Sequence, residues 1–260
     1  MSFSLSTYDS FLKTVCGTNN MPVLTILAAA KYLNLEQEKR CLILRHDVDR
    51  RANRAVSVAA LEMKYNVLST FYFRSSRTGA FPERQIEKIC EMGHEIGYHY
   101  ECLSRSAGDR DRALDLFRQD LANLRSIAPC STVSSHGAPL SPHDNGTLLE
   151  RVNLSELNIS ADAVLSFNAH RLFYCTDTGG RWNAPQKYNR RDHVGQGNDF
   201  SRSPSDPTFS SWLSEVIMPI YVTTHPERWS RGKLELFEST LRDMIINQGK
   251  HVARLAQGRK

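Results

Sequence analysis

Short apolar segments alternate with amphipathic segments along most of this 260-residue chain. The run "CLIL" at 41–44 is typical of a strand that is buried on both faces. Similar strand-like segments follow as "LSTFYF", "HEIGYH", "STVSS", "RLFYC" and "MPIYVTT", with helical patterns such as "DRALDLFRQDLANLRSI" between them. Buried strands that are connected through helices predict a parallel sheet, either open or closed into a barrel.

The alternation runs without a convincing boundary, so a single domain over residues 1–260 is expected. A short helix is predicted from Thr7, and an amphipathic helix over 233–246 is predicted to close the chain, whereas 21–34 is ambiguous. The stretch 183–210 breaks the pattern because it is polar and too long for a simple connection. It is interpreted as a long active-site loop or as a disordered segment.

Composition restricts the class of protein. The net charge is +5, which is mild, and no basic-aromatic platform is recognisable, so nucleic acid is not expected as a partner. No stretch approaches the length of a transmembrane helix, and the N-terminus lacks the pattern of a signal peptide. The six cysteines are scattered without a C-x-x-C pair. These features predict a cytoplasmic protein with free thiols.

Polar residues follow the predicted strands at the point where each one ends. In parallel α/β folds the functional residues collect at the carboxyl ends of the strands. Here these positions hold Arg45, His46, Asp47 and Asp49, then Arg74, then His99 and Glu101, then His136, then Asp177 and Trp182, and finally His225 and Trp229. A His or Asp at each of five strand ends is better explained by one functional site than by five unrelated turns.

These residue types suit metal-assisted hydrolysis. Aspartate and histidine are ligands of zinc, and catalytic zinc sites use three protein ligands and leave one position open. Asp47 and Asp49 lie on one side of an extended segment, so one can hold the metal and the other can take a proton from water. A histidine across the cavity can protonate the leaving group, which completes the groups needed to hydrolyse an amide or ester.

Four segments in order, "RHDVDR", "STFYFR", "GHEIGYHYE" and "YVTTHPERW", resemble the polysaccharide deacetylases of carbohydrate esterase family four. The resemblance covers roughly residues 40–230. It implies a distorted (β/α) barrel of about seven parallel strands and the removal of N- or O-acetyl groups from sugars with a divalent metal, usually zinc.

The same resemblance implies roles for individual residues. Asp47 matches the general base, and Asp49 and His99 match two metal ligands. His225 matches the general acid. Asp177 and Trp182 look like the Asp and Trp that orient this histidine and wall the pocket.

One departure concerns the third metal ligand. The family has a second histidine four residues after the first, but Leu103 occupies that position here. His136 is the first choice for the missing ligand and Glu101 the second, whereas His94 opens its strand and is expected at the opposite end of the barrel. The family's Arg-Pro-Pro-Tyr-like motif is also replaced, by "SHGAPLSPHDN".

Structural interpretations stay open for several of these residues. Asp49 can be the N-cap of the following helix, and Trp182 can be a packing residue. Arg45 and Arg74 can form ion pairs with Asp47 or Asp177, or they can bind substrate together with Glu101 and Trp182.

The expected function is removal of an acetyl or formyl group from an amino sugar during synthesis of a bacterial surface polysaccharide. A substrate linked to a nucleotide or a lipid fits the absence of an export signal, and Lys187, Arg190 and Arg191 can hold its phosphates or be a solvated loop. The alternative is a carbohydrate-binding module that lost its metal with Leu103.

Overall fold

The structure, a computed structural model, describes residues 3–17, 21–35, 39–138, 140–178, 180, 182, 192–196, 216–232, 235 and 237. Within these ranges one α/β domain is formed. Most of the predicted helix over 233–246 and most of the predicted loop 183–210 lie outside the described residues.

Eight parallel strands form the sheet. They are β1 (Val23–Leu24), β2 (Leu42–Val48), β3 (Thr70–Phe73), β4 (Glu95–Tyr100), β5 (Cys130–Ser135), β6 (Ala161–Asp162), β7 (Phe173–Thr176) and β8 (Ile220–Thr224). The strands are short and rich in β-branched and aromatic residues, which suit a pleated and buried surface.

Six α-helices connect or flank these strands in the described part of the chain. They are α1 (Leu5–Gly17), α2 (Ile26–Leu35), α3 (Ala52–Met63), α4 (Glu83–Glu91), α5 (Cys102–Arg105) and α6 (Arg110–Arg125). Four short 3-10 segments lie at 145–148, 154–157, 165–167 and 226–228. Asp109 caps α6 by accepting a hydrogen bond from the Arg112 amide, as Asp at an N-cap commonly does.

The sheet order is β6-β5-β4-β3-β2-β8-β7, and β1 pairs with the start of β2. Every pairing is parallel. Among the described residues no pairing joins β6 to β7, so the seven strands form a curled half-barrel with helices between them. The predicted distorted (β/α) barrel is confirmed.

The two faces of the sheet are separated by simple alternation along β2. Leu42, Leu44 and Val48 pack in the larger hydrophobic core together with the helices α3, α4 and α6. Ile43 packs on the other face in a second core with Tyr72. Because side chains alternate along a strand, Arg45 and Asp47 point to the same side as Ile43. The interior face therefore carries polar groups towards its carboxyl end.

Several local expectations are refined by the structure. The first helix begins at Leu5, two residues before the predicted start, and the ambiguous segment 21–34 forms β1 and most of α2. The N-cap of α3 is Arg51, so the interpretation of Asp49 as a helix cap is wrong. No helix in the described ranges has the length and apolar character that crossing a membrane requires.

Candidate metal centre and active site

Three side chains from three strand ends converge at the carboxyl edge of the sheet. They are Asp49 after β2, His99 in β4 and His136 after β5, and they are called the rim triad below. The Nε2 atoms of His99 and His136 each lie 3.6 Å from Oδ1 of Asp49. One ligand atom from each residue lies within 4.8 Å of the other two, which is close enough for all three to reach one ion.

Both histidines are held by their other ring nitrogen. Nδ1 of His99 lies 3.1 Å from the carbonyl oxygen of Ser134, and Nδ1 of His136 lies 3.0 Å from Oε2 of Glu101. An Nδ1–H that donates to these acceptors leaves Nε2 with its lone pair directed at Asp49. In metal sites, a ligating histidine usually donates its other ring N–H to a carbonyl or carboxylate oxygen, as both histidines can do here.

The residues present fit a divalent metal. Oδ1 of Asp49 is itself buried and accepts no hydrogen bond, which is costly for a carboxylate oxygen unless a cation compensates it. Two imidazole nitrogens and a carboxylate are a common ligand set of catalytic zinc. Asp49, His99 and His136 are therefore the residues that would hold the ion.

Electrostatics within the triad follow from burial and from neighbouring charges. Burial lowers the pKa of His99 to about 4, against the opposing charges of Asp47 and Asp49. Burial also disfavours the charged form of His136, but Asp49 and Glu101 outweigh it and raise its pKa to about 9. Burial would raise the pKa of Asp49, but the two histidines hold it well below its usual range. Without a metal, the proton of the triad therefore resides on His136.

Asp47 lies beside the triad and is held by Arg45. The Nε and Nη2 atoms of Arg45 donate to the two carboxylate oxygens at 2.7 and 2.8 Å, and Oδ2 of Asp47 lies 3.8 Å from Nε2 of His99. Burial would raise the pKa of Asp47, but the charges of Arg45 and His99 lower it below its usual value. Asp47 is thus an oriented anion at neutral pH.

Across the same pocket, His225 is paired with Asp177. Nδ1 of His225 lies 2.6 Å from Oδ1 of Asp177, whose Oδ2 accepts from the His225 amide at 3.0 Å and from the Trp229 indole at 3.2 Å. Burial and Arg228 oppose protonation of His225, but Asp177 outweighs them and raises its pKa. The geometry agrees with the orienting role expected for Asp177.

Glu101 connects two neighbours of the triad. Its Oε1 accepts from Nη2 of Arg74 at 2.7 Å, while Oε2 contacts His136. Nη1 of Arg74 lies 3.8 Å from Oδ1 of Asp49 and 3.4 Å from Nε2 of His136. Of the two candidates for the third ligand, the structure brings His136 to the triad and leaves Glu101 behind it.

The structure gives Arg45 a different role from substrate binding. This side chain is fully buried, and besides Asp47 it contacts Ser134 at 2.5 Å and Asp192 at 3.0 Å. A guanidinium without accessible surface cannot contact a sugar, so the alternative interpretation, an ion pair with Asp47, is the one that holds.

The structure also gives the surroundings of Trp182, Leu103 and His94. Trp182 packs against Phe3 and Trp229, with ring centroids 5.7 and 6.1 Å away, and its substrate-binding role stays a prediction. Leu103 is buried in the larger core. His94 directly precedes β4, with its Nε2 3.1 Å from the Ala59 carbonyl oxygen, and therefore lies at the amino end of the strand, opposite the carboxyl edge, as expected.

A pocket of about 90 Å³ lies over these groups and is called the inner pocket. It is lined by Asp47, Asp49, His99, His136, His225, Asp192, Arg50, Arg228, Tyr174, Thr178, Thr223, Ser135 and Gly137. Sequence reasoning missed Asp192, although it lies within the predicted active-site loop. The signal that the sequence offered for Asp192 was its charge within a polar segment. Its partner Arg45 is 147 positions away in sequence.

Solved structures with a similar fold are found at low sequence identity. No family model and no curated protein matches the chain. Among solved structures, a mutant of a CE4-family pseudoenzyme with restored enzymatic activity matches at 13% identity and a TM-score of 0.42, covering 82% of this chain and 64% of that one. A Streptococcus mutans CE4 esterase matches at 13% identity and a TM-score of 0.44, covering 89% and 87%.

The chain thus spans less than two thirds of the length of the first of these structures. TM-scores below 0.5 do not support an inference about activity. Any functional conclusion therefore depends on the geometry of the site.

Proposed function

We propose that this protein is a metal-dependent hydrolase that removes an N-acyl group, acetyl or formyl, from an amino sugar. One observation carries the proposal. A buried Asp49 oxygen without a hydrogen bond faces two oriented histidines, beside a second carboxylate and an Asp–His pair. A purely structural cluster does not need an unsatisfied carboxylate next to a separate acid and base.

A divalent cation, most simply zinc, would supply Lewis-acid activation of water and of the acyl carbonyl. Asp47 is placed to accept the proton of the attacking water, since its carboxylate is ionised and oriented by Arg45. Arg45 is therefore a positioning residue in this proposal, and its own neighbour Asp192 fixes it from the other side.

His225 is placed to donate a proton to the departing amine. Its Nδ1 is engaged by Asp177, which leaves Nε2 as the nitrogen available to the inner pocket. The raised pKa favours the protonated ring, the form that a general acid requires. Loss of this group in His225→Ala is expected to lower kcat by about 10²–10⁴-fold.

We further propose a cytoplasmic role for the enzyme, on an intermediate in the synthesis of a bacterial surface polysaccharide. The acylated sugar would be carried on a nucleotide or a lipid. The polar inner pocket is small, about 90 Å³, and suits the acyl group rather than a whole sugar.

The experiment is acetate release from N-acetylated sugars by the zinc-loaded protein and by Asp47→Asn. The amide is nearly the same size but cannot accept the proton, so we expect kcat to fall by about 10²–10⁴-fold with zinc retained. Unimpaired turnover in Asp47→Asn would remove this residue from the reaction.

The second candidate is a carbohydrate-binding module without a metal. It is favoured by Arg74, whose guanidinium already lies 3.8 Å from the Asp49 oxygen that would bind the ion. In that case Arg74 and protonated His136 are the cations at the triad. Metal content of the purified protein distinguishes the two candidates.

A further inference from the structure

An open groove adjoins the rim triad on the side of α3, α4 and α5. Its volume is about 1670 Å³, and five arginines line it against two carboxylates, Asp49 and Glu101. This groove is called the arginine groove, after its lining by Arg50, Arg51, Arg74, Arg77 and Arg105. Neither the metal site nor the proposed acid and base accounts for these guanidinium groups.

Two of the arginines are engaged in the protein's own structure. Nη1 of Arg105 lies 2.5 Å from Oδ2 of the buried Asp120, which holds it as a structural ion pair. Arg74 gives Nη2 to Glu101, but its Nε is buried and donates to no acceptor. Arg74 therefore keeps one unused donor.

Two further arginines of the groove, Arg50 and Arg77, have exposed side chains. Arg77 is exposed and has no ion-pair partner among the described residues. Arg50 is 41% exposed, and its Nη2 lies 3.7 Å from Oε1 of Glu227. Guanidinium groups present several N–H donors in a planar fork that matches phosphate oxygens.

The groove is continuous with the inner pocket. Asp49, Arg50 and His136 line both of them, so a molecule bound along the arginines reaches the triad. The N-terminus of α3 opens on the groove without a side-chain cap and adds positive potential there.

We propose that the arginine groove binds the phosphate or diphosphate that is attached to the sugar, with Arg50 and Arg77 as the main contacts. The identity of the sugar rests on the proposed function, but the anion site does not. The shared chemistry of the two sources, a nucleotide and a lipid carrier, is a sugar diphosphate ester.

The test is titration calorimetry of pyrophosphate into the zinc-loaded full chain. We compare the parent protein with Arg50→Gln/Arg77→Gln and with the control Arg84→Gln, an exposed arginine of α4 that does not line the groove. The double variant is expected to lose about tenfold or more in affinity, because two charge-assisted contacts are removed. The control, which has lost one positive charge outside the groove, is expected to stay within about twofold of the parent.

Two results would overturn the site. One is absence of pyrophosphate binding, or equal affinity in the parent and the double variant. The other is binding that the double variant keeps but that disappears when zinc is removed, because the metal then holds the anion. Circular dichroism of the double variant checks that the fold is unchanged.

A second arm separates the carriers and the two proposals. Acetate release is followed with UDP-N-acetylglucosamine, with farnesyl-diphosphoryl-N-acetylglucosamine and with a neutral N-acetylglucosamine tetramer. The double variant is expected to raise KM about tenfold for whichever diphosphate substrate is used. Turnover of the tetramer without pyrophosphate binding refutes the anion site alone, whereas pyrophosphate binding without turnover of any of the three compounds supports the anion site and refutes deacetylation of these sugars.

Discussion

Two clusters among the described residues combine a carboxylate with two histidines, and they differ in how completely their hydrogen bonds are satisfied. The rim triad at the carboxyl edge of the sheet opens on the inner pocket, and Oδ1 of Asp49 accepts no hydrogen bond. The second cluster, formed by Glu62, His46 and His94, is called the Glu62 cluster. Its three side chains are fully buried between α3 and the sheet.

Every carboxylate oxygen of the Glu62 cluster is satisfied. Oε1 accepts from the Tyr8 hydroxyl and contacts Nε2 of His46 at 2.8 Å, and Oε2 accepts from the Ser69 hydroxyl at 2.6 Å. Burial would raise the pKa of Glu62, but His46 lowers it, so the carboxylate is ionised inside the core. Such a network fixes the packing of α1 and α3 and leaves no position for a ligand.

The difference shows what separates a structural cluster from a ligand site of the same residue types. The residue types are alike in both clusters, but of the two only the rim triad brings one ligand atom of each residue within 4.8 Å of the other two. Unused hydrogen-bonding capacity beside a solvent-accessible pocket is found only at the rim triad of the two, and it is this property that predicts a bound cation.

The largest expected effect is on stability. Glu62→Ala leaves Tyr8, His46 and Ser69 without their buried acceptor, so we expect the free energy of unfolding to fall by about 3–5 kcal/mol. In the metal-free protein, Asp49→Ala removes the ion pair with His136, but His136 keeps its contact with Glu101, so we expect a smaller loss of about 1–2 kcal/mol. Chemical denaturation with chelator present measures the free energy of unfolding of both variants. Equal losses would contradict the claim that the Glu62 cluster is structural and the rim triad is not.

Zinc is expected to stabilise the protein through the rim triad alone. At a free zinc concentration of about 100 times Kd, the free energy of unfolding should rise by about 2.7 kcal/mol. The increment is expected in Glu62→Gln, which retains the triad, and not in Asp49→Ala. Denaturation with and without zinc provides the comparison, and a zinc increment that survives in Asp49→Ala would place the ion elsewhere.

Glu101 provides a further test of the rim triad, because it contacts His136 but is not one of the three residues of the triad. Glu101→Gln weakens the hold on His136 at Nδ1, and we expect the zinc affinity to fall by about 10–100-fold. His136→Ala removes a ligand and is expected to cost more than Glu101→Gln does. Competition with a chelating dye measures both variants. A loss in Glu101→Gln that exceeds the loss in His136→Ala would make Glu101 the ligand.

The last expected effect is a dependence of zinc affinity on pH. Without metal, His136 has a pKa of about 9 and must lose its proton to bind zinc, whereas His99, with a pKa of about 4, is already neutral. Apparent affinity should therefore rise about tenfold per pH unit from pH 6 towards about 9 and then level off. Affinity that is constant over this range would show that His136 is not a ligand.

The sequence predicted the parts of this molecule that depend on local pattern. Strand and helix periodicity identified the parallel sheet, and placement after strand ends brought Asp49, His99 and His136 to one edge. The interpretation of Leu103 as a lost ligand position directed attention to His136, which the structure places next to Asp49.

The parts that were missed depend on pairing between distant segments. Tyr8 and Glu62 are 54 positions apart, and neither carries a local signal of its partner. The burial of Arg45 is likewise set by Asp192, in a segment without periodicity. A sequence pattern gives the side of a strand on which a charge lies, but not whether another segment neutralises it.

The most direct test of the account is metal analysis of protein purified without chelators. The rim triad predicts about one zinc ion per chain in the parent protein and in Glu62→Gln, and none in Asp49→Ala or His99→Ala. If the parent binds no zinc, cobalt, nickel or manganese even when these are supplied, the metal-dependent hydrolase proposal is contradicted, and protonated His136 and Arg74 are the cations of the site.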